Sequence, residues 1–131
     1  MSPASSNVPP GLHELESELM ELIWERGECN VRSVLEALNK RSDKQRKYTT
    51  VMTTMARLER KGLLMRRRDG RTDIYKPAMT RDEYLDARAA AEVGALVDNY
   101  GEAALVHFAR QMDQLDPERR EQLRRLTHRE D

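Results

Sequence analysis

The sequence has a single cysteine, Cys29, so no intramolecular disulfide framework and no Cys-rich zinc site is available to it. Aromatic residues are scarce, at 5%, which argues against a large apolar ligand pocket. No run approaches the ~18 consecutive apolar residues of a membrane span, and the N-terminus lacks the basic-then-apolar layout of a signal peptide. These absences point to a cytoplasmic protein without membrane insertion. Enzyme motifs are also missing: there is no GxGxxG, P-loop, HExxH or GxSxG. His13, His107 and His128 stand apart from one another, so neither a metal site nor a cofactor is expected. A chain of 131 residues fits one domain, or one small domain with an appendage.

Net charge is absent as well, but the zero conceals a sharp segregation. Residues 1–40 carry a net −4, residues 41–76 a net +8 and residues 77–131 a net −4. A basic block of this kind marks either a polyanion-binding surface or a merely solvated one, and the pattern beneath the charge has to decide.

Residues 1–11 hold three of the five prolines and three serines, and read as a disordered arm. Leu12 to Arg26 has helical spacing, with Leu12, Leu15, Leu19, Leu22, Ile23 and Trp24 apolar and Glu14, Glu18, Glu21 and Glu25 opposite. No His joins those glutamates at ligand spacing, so they form a solvated acidic face. Gly27 ends the helix, and Asn30 is placed to cap a second, with Val31, Val34, Leu35 and Leu38 inward. After the polar stretch RSDKQRK, a third helix is expected over Tyr48–Lys61. Its inner stripe is Val51, Met55 and Leu58, helped by Met52, and its outer face carries Thr50, Thr53, Thr54 and Arg57. Then LLMRRR-DG-RTDIY has the form of a β-hairpin, the Asp69-Gly70 pair occupying a turn whose two central residues need positive φ.

Three short helices followed by a basic hairpin is the element order of a winged helix-turn-helix. The chain is therefore expected to be mostly α with a small β-hairpin wing, the DNA-binding domain covering residues 12–77. Thr80-Arg-Asp-Glu83 has capping-box form and opens a long alanine-rich helix. Gly101 punctuates it, a further helix covers Glu102–Gln114, and Asp116-Pro117 starts another. These helices carry too little apolar mass for an independent core. Residues 78–131 are accordingly expected to be a helical homodimerisation domain, its interface drawn from Tyr84, Leu85, Leu96, Leu105, Phe108, Met112 and Leu123. The alternative is that they fold back on the winged domain of a monomer.

A third helix of this type suits a major groove, where exposed side chains reach base edges. Thr49, Thr50, Thr53 and Thr54 are unfavourable in a helix by propensity alone, which favours a functional role for them. Arg66, Arg67, Arg68 and Arg71 crowd around one turn, and a polyanion would relieve their mutual repulsion. With Lys47 and Arg57 these complete the candidate DNA-binding set. Cys29, just before a helix start, is most simply a small half-buried thiol.

The stretches LxxLExxLMxLIW (Leu12–Trp24), YTTVMTTMARLERKGLL (Tyr48–Leu64) and DGRxxxYxP (Asp69–Pro77) resemble the BlaI/MecI/CopY family of penicillinase and methicillin-resistance repressors and copper-responsive relatives. The resemblance spans about Leu12 to Leu126. It implies a homodimeric winged-helix repressor bound to a dyad-symmetric double-stranded operator, with Thr50, Thr53 and Arg57 at DNA-contacting positions and Gly70-Arg71 in the wing. In the β-lactam branch it implies release by proteolysis in the dimerisation domain, under a membrane-linked sensor protease. The cleavage position falls at His107–Phe108, where the aromatic is kept and His stands in place of Asn. The cysteine motif of the copper-responsive branch is absent from the ending ERREQLRRLTHRED. Two other functions fit the same elements: a ligand-responsive regulator with a small-molecule pocket, and a winged-helix protein–protein interaction module.

Overall fold

The computed structural model describes residues 8–128. Among these residues, six helices and one hairpin follow in the order α1 (Glu14–Arg26), α2 (Val31–Arg41), α3 (Tyr48–Arg60), β1 (Leu64–Asp69), β2 (Thr72–Pro77), α4 (Arg81–Tyr100), α5 (Glu102–Asp113) and α6 (Pro117–His128). The chain divides into two compact units, Met1–Ala89 and Ala90–Asp131, with the division falling inside α4. The winged helix expected from the sequence occupies the first.

Local chemistry fixes each boundary of that unit. The His13 N–H donates to Glu16 Oε1 at 3.0 Å, satisfying one free donor at the start of α1. Gly27, at φ 82°, ends the helix by donating its N–H to the Ile23 carbonyl. Asn30 caps α2 by accepting from the Ser33 N–H at 2.8 Å. The turn into α3 is held by Asn39, whose side-chain amide donates to the Arg46 carbonyl and whose Oδ1 accepts from the Arg46 N–H.

α1, α2 and α3 close around one core in which Leu19, Met20, Ile23, Val34, Val51, Met55, Leu58 and Leu63 are fully buried. The hairpin seals it with Leu64 and Tyr75. Cys29 pairs with Tyr75 through two backbone hydrogen bonds of 2.9 and 2.8 Å, so the α1–α2 linker adds a third strand-like edge to the wing. Near the start of α4, the Tyr84 ring lies 5.5 Å from that of Trp24, and the indole N–H donates to the Met79 carbonyl. The expected capping box is present: Thr80 N–H donates to Glu83 Oε1, and Glu83 N–H to Thr80 Oγ1.

Several expectations are corrected. Val8–Gly11 are not a free tail, because Pro9 is buried and the carbonyls of Pro9 and Pro10 accept from Arg88 and the Tyr84 hydroxyl. Residues 1–7 of the expected arm lie outside the described residues. Tyr84 is 7% exposed and thus packs within its own unit, so it is removed from the candidate dimer interface. Met52 is 42% exposed and does not help the inner stripe of α3. The hairpin register pairs Asp69 with Thr72, so the two-residue turn is Gly70-Arg71 rather than Asp69-Gly70. Gly70 alone needs positive φ there (64°), the arrangement that places glycine at the first central position of a tight hairpin turn.

In the second unit, Ala104 is buried, whereas Val93, Leu96, Tyr100, Leu105, Val106, Met112 and Leu126 are exposed. Phe108, Leu115 and Leu123 are half-buried. α6 starts at an Asp116 cap, Oδ1 accepting from the Arg119 N–H at 2.7 Å. No helix among the described residues is long and apolar enough to cross a membrane.

Candidate nucleic-acid interface

α3 buries Val51, Thr54, Met55 and Leu58 and exposes Tyr48, Thr49, Thr50, Met52, Thr53, Arg57 and Arg60. Thr50, Thr53 and Arg57, at i, i+3 and i+7, thus share one open face. Thr54 does not join them. It is 4% exposed, and its hydroxyl donates back to the Thr50 carbonyl at 2.8 Å, which satisfies it inside the core. Lys47 and Thr49 are exposed at the start of the helix.

The other end of α3 is anchored by a buried ion pair. Lys61 Nζ lies 3.0 and 2.8 Å from the two oxygens of Glu16, a carboxylate 1% exposed on α1. Burial alone would raise the Glu16 carboxyl. The His13 N–H and the Lys61 ammonium outweigh that and hold it below its ordinary value. Glu16 was not singled out in the sequence, where its partner lies 45 residues away.

The wing arginines do not form one free cluster. Alternation along β1 puts Arg66 and Arg68 on one face of the hairpin and Arg67 on the other. Arg67 pairs with Glu28 of the α1–α2 linker at 3.2 Å. Arg68 pairs with its cross-strand neighbour Asp73 at 3.1 Å, and Arg66 lies 3.8 Å from Asp73 and 3.7 Å from Glu59 of α3. The repulsion expected among four arginines is therefore already relieved by carboxylates for three of them. Arg71 has no carboxylate partner among the described residues, and neither have Arg57 and Lys47.

A cleft of about 310 Å³ runs between the start of α2, the first half of α3 and the wing turn. Arg32, Tyr48, Met52, Arg71 and Asp73 line it, and the Arg32 guanidinium sits 5.1 Å over the Tyr48 ring. The cleft brings the wing turn alongside Tyr48 and Met52 in the first half of α3. Among the described residues no group of three or more His, Cys, Asp or Glu is placed to hold a metal ion. Burial pushes the Cys29 thiol up to about 11, so it is a packed thiol and not a reactive one.

The candidate interface residues of the second unit differ in character. Leu96, Leu105 and Met112 are exposed and Phe108 and Leu123 half-buried; Leu85, in the first unit, is exposed too. His107, exposed, and Phe108 lie mid-way along α5 and line an apolar groove of about 340 Å³ with Leu96, Tyr100, Ala103 and Ala104.

Comparison with known proteins agrees with this architecture. The family model described as penicillinase repressor matches residues 12–129. The transcriptional regulator BlaI of Mycobacterium tuberculosis is 41% identical over 114 residues, covering 83% of this chain and 80% of that protein. The penicillinase repressor of Bacillus licheniformis is 27% identical over 109 residues, with 83% of each covered. Among solved structures, the DNA-binding domain of the repressor BlaI superposes with a TM-score of 0.50 at 29% identity, covering 60% of this chain and 92% of that one. These relatives are transcriptional regulators and not enzymes. On the winged fold of its first unit and a family match from Leu12 to Arg129, the chain belongs to the penicillinase repressor family, as a BlaI-like transcriptional repressor with a winged-helix DNA-binding domain.

Proposed function

We propose that this repressor acts in the cytoplasm as a homodimer on a dyad-symmetric operator. One α3 from each protomer enters a major groove, and the wing lies on the adjacent backbone. The observation that carries the reading is the open face of α3 with the wing turn beside it. Thr50, Thr53 and Arg57 are exposed in one line, and among the described residues neither Arg57 nor Arg71 has a carboxylate partner. An unpaired guanidinium exchanges only water for a phosphate or a guanine edge, so its full interaction is available to DNA. Thr49 and Lys47 extend the same surface toward the helix start. The short threonines let the helix backbone approach the bases closely.

Dimerisation falls to the second unit. Leu96, Leu105 and Met112 are open to solvent there with little of their own unit to bury them, and a second copy supplies the missing contact, drawing in Phe108 and Leu123. Coupling two half-sites makes the second engagement effectively intramolecular, so anything that opens the helical unit weakens DNA binding without touching α3. Proteolysis at His107–Phe108 under a membrane-linked sensor is such a step. The bond lies within a helix, and cleavage there needs local unfolding. A unit with so few buried side chains opens at low free-energy cost.

The test is a fluorescence-anisotropy titration of labelled duplex with the full chain and with Arg57→Ala. Loss of a bidentate contact to guanine costs about 1–3 kcal/mol, or roughly 5- to 150-fold in affinity for the preferred duplex. A variant that binds its preferred duplex as tightly as the wild type removes Arg57, and with it this orientation of α3.

A further inference from the structure

The wing carries its own counter-ion. Asp73 stands on β2 directly opposite Arg68, accepts from its guanidinium at 3.1 Å, and lies 3.8 Å from Arg66. Its side chain is 31% exposed and lines the cleft beside α3 that also holds Arg71. We infer that Asp73 is a positioning residue for DNA binding, holding Arg68, and Arg66 together with Glu59, away from the phosphate backbone so that Arg71 alone on that side of the wing is ready to engage it. The inference rests on the DNA-binding reading above.

The physics is an exchange. For Arg68 or Arg66 to reach a phosphate, its contact with Asp73 must break or become shared, and the carboxylate left behind repels the incoming phosphate. Each guanidinium already neutralised locally also adds little to the field that displaces condensed cations from the duplex. The wing therefore contributes less affinity and a shallower salt dependence than its four arginines imply. The ion pairs are exposed on the arginine side, with Arg66 46% and Arg68 64% open to solvent, so each is individually weak and open to exchange. Arg67 is on the opposite face with Glu28 and takes no part.

The experiment titrates the full chain onto a labelled random-sequence duplex between about 50 and 200 mM salt. Asp73→Asn keeps the side-chain shape and removes the charge. It is expected to bind roughly 1.5- to 5-fold tighter at the low-salt end, the range that one weak surface pair supports. Its salt slope should steepen by about 0.9, for Arg68 alone, because Arg66 keeps Glu59 at 3.7 Å. Asp73→Glu should restore wild-type behaviour. Combining Asp73→Asn with Arg66→Ala and Arg68→Ala should abolish the gain, a result that a merely structural role for Asp73 does not produce. Asp73→Ser gives the same charge removal should the asparagine variant unfold, as judged by its urea midpoint. Wild-type affinity and slope in the charge-removal variants, or a gain that survives loss of both arginines, overturns the role of Asp73 while leaving DNA binding intact. A wild-type protein that ignores duplex at low salt overturns the inference and the DNA-binding reading together.

Discussion

Replacing Lys61 with methionine tests how α3 is held. The substitution keeps the aliphatic stem and removes the ammonium that lies 2.8 and 3.0 Å from the Glu16 carboxylate. Glu16 is 1% exposed, so the variant leaves a charged group buried with the His13 N–H as its remaining donor. Removing one partner of a buried pair costs about 3–5 kcal/mol. The Lys61 side chain is 26% exposed, which admits water to one side of the pair and puts the expectation near the lower end, about 3 kcal/mol. With a slope of about 2 kcal/mol per molar urea, the unfolding midpoint should fall by roughly 1.5 M at pH 7. The pH dependence has a definite sign. The folded-state carboxyl lies below its ordinary value of 4.5, so the pair stabilises fully above that value and is lost as pH falls through the lower, folded-state titration. In Lys61→Met both lowering effects of Lys61 are lost, so the carboxyl rises relative to wild type. The gap between the two proteins should therefore be widest near neutrality and close on acidification. A variant within about 0.5 kcal/mol of wild type at pH 7, or a gap that does not change with pH, would show that the Glu16–Lys61 pair does not anchor α3. Because Lys61 caps α3, the same variant should also lose DNA affinity.

Two further outcomes follow from the packing. The Cys29 thiol, pushed up to about 11, should react with an aromatic disulfide at pH 8 only at the rate of unfolding and speed up sharply in urea; rapid stoichiometric reaction of the native protein contradicts its burial. Truncation after Ala89 keeps Tyr84 on Trp24 and should leave a folded, monomeric fragment with weakened DNA binding, measured by sedimentation velocity and anisotropy. A fragment that stays a tight dimer relocates the interface to the winged unit. Truncation after Met79 instead strips Tyr84 from the core edge and should lower stability by about 2 kcal/mol relative to the longer fragment.

Much of the winged unit is legible in the residue pattern, because its elements are fixed by local chemistry. The Asn30 cap, the Gly27 stop, the Thr80–Glu83 capping box and the hairpin all act within a few residues of themselves. Thr54 is instructive in a different way. It sits at i+3 from Val51 and i−4 from Leu58, squarely on the inner stripe, but its polar type placed it outside. A hydroxyl bonded to its own helix carbonyl lets a threonine occupy a core position. Glu16 hides for the same reason: it shares the inner stripe with Leu19, Met20 and Ile23, and the lysine that neutralises it belongs to another helix. The pairing of Arg66 and Arg67 depends on Glu59 and Glu28, which only the folded hairpin brings near. Composition reports such charges as a block, whereas the fold sorts them into paired and free. The one-residue shift of the turn arose because Asp-Gly and Gly-Arg are both acceptable turn pairs, and cross-strand register decides between them.

If two copies of α3 read one duplex, in vitro selection of bound DNA from a random pool will reveal it. Enrichment of a motif with two-fold symmetry is expected, its half-sites about one helical turn or a multiple of it apart. Arg57→Ala should lose preference at the corresponding positions in both halves. A single asymmetric motif, or no enrichment over the starting pool, would mean that paired α3 helices do not read the duplex.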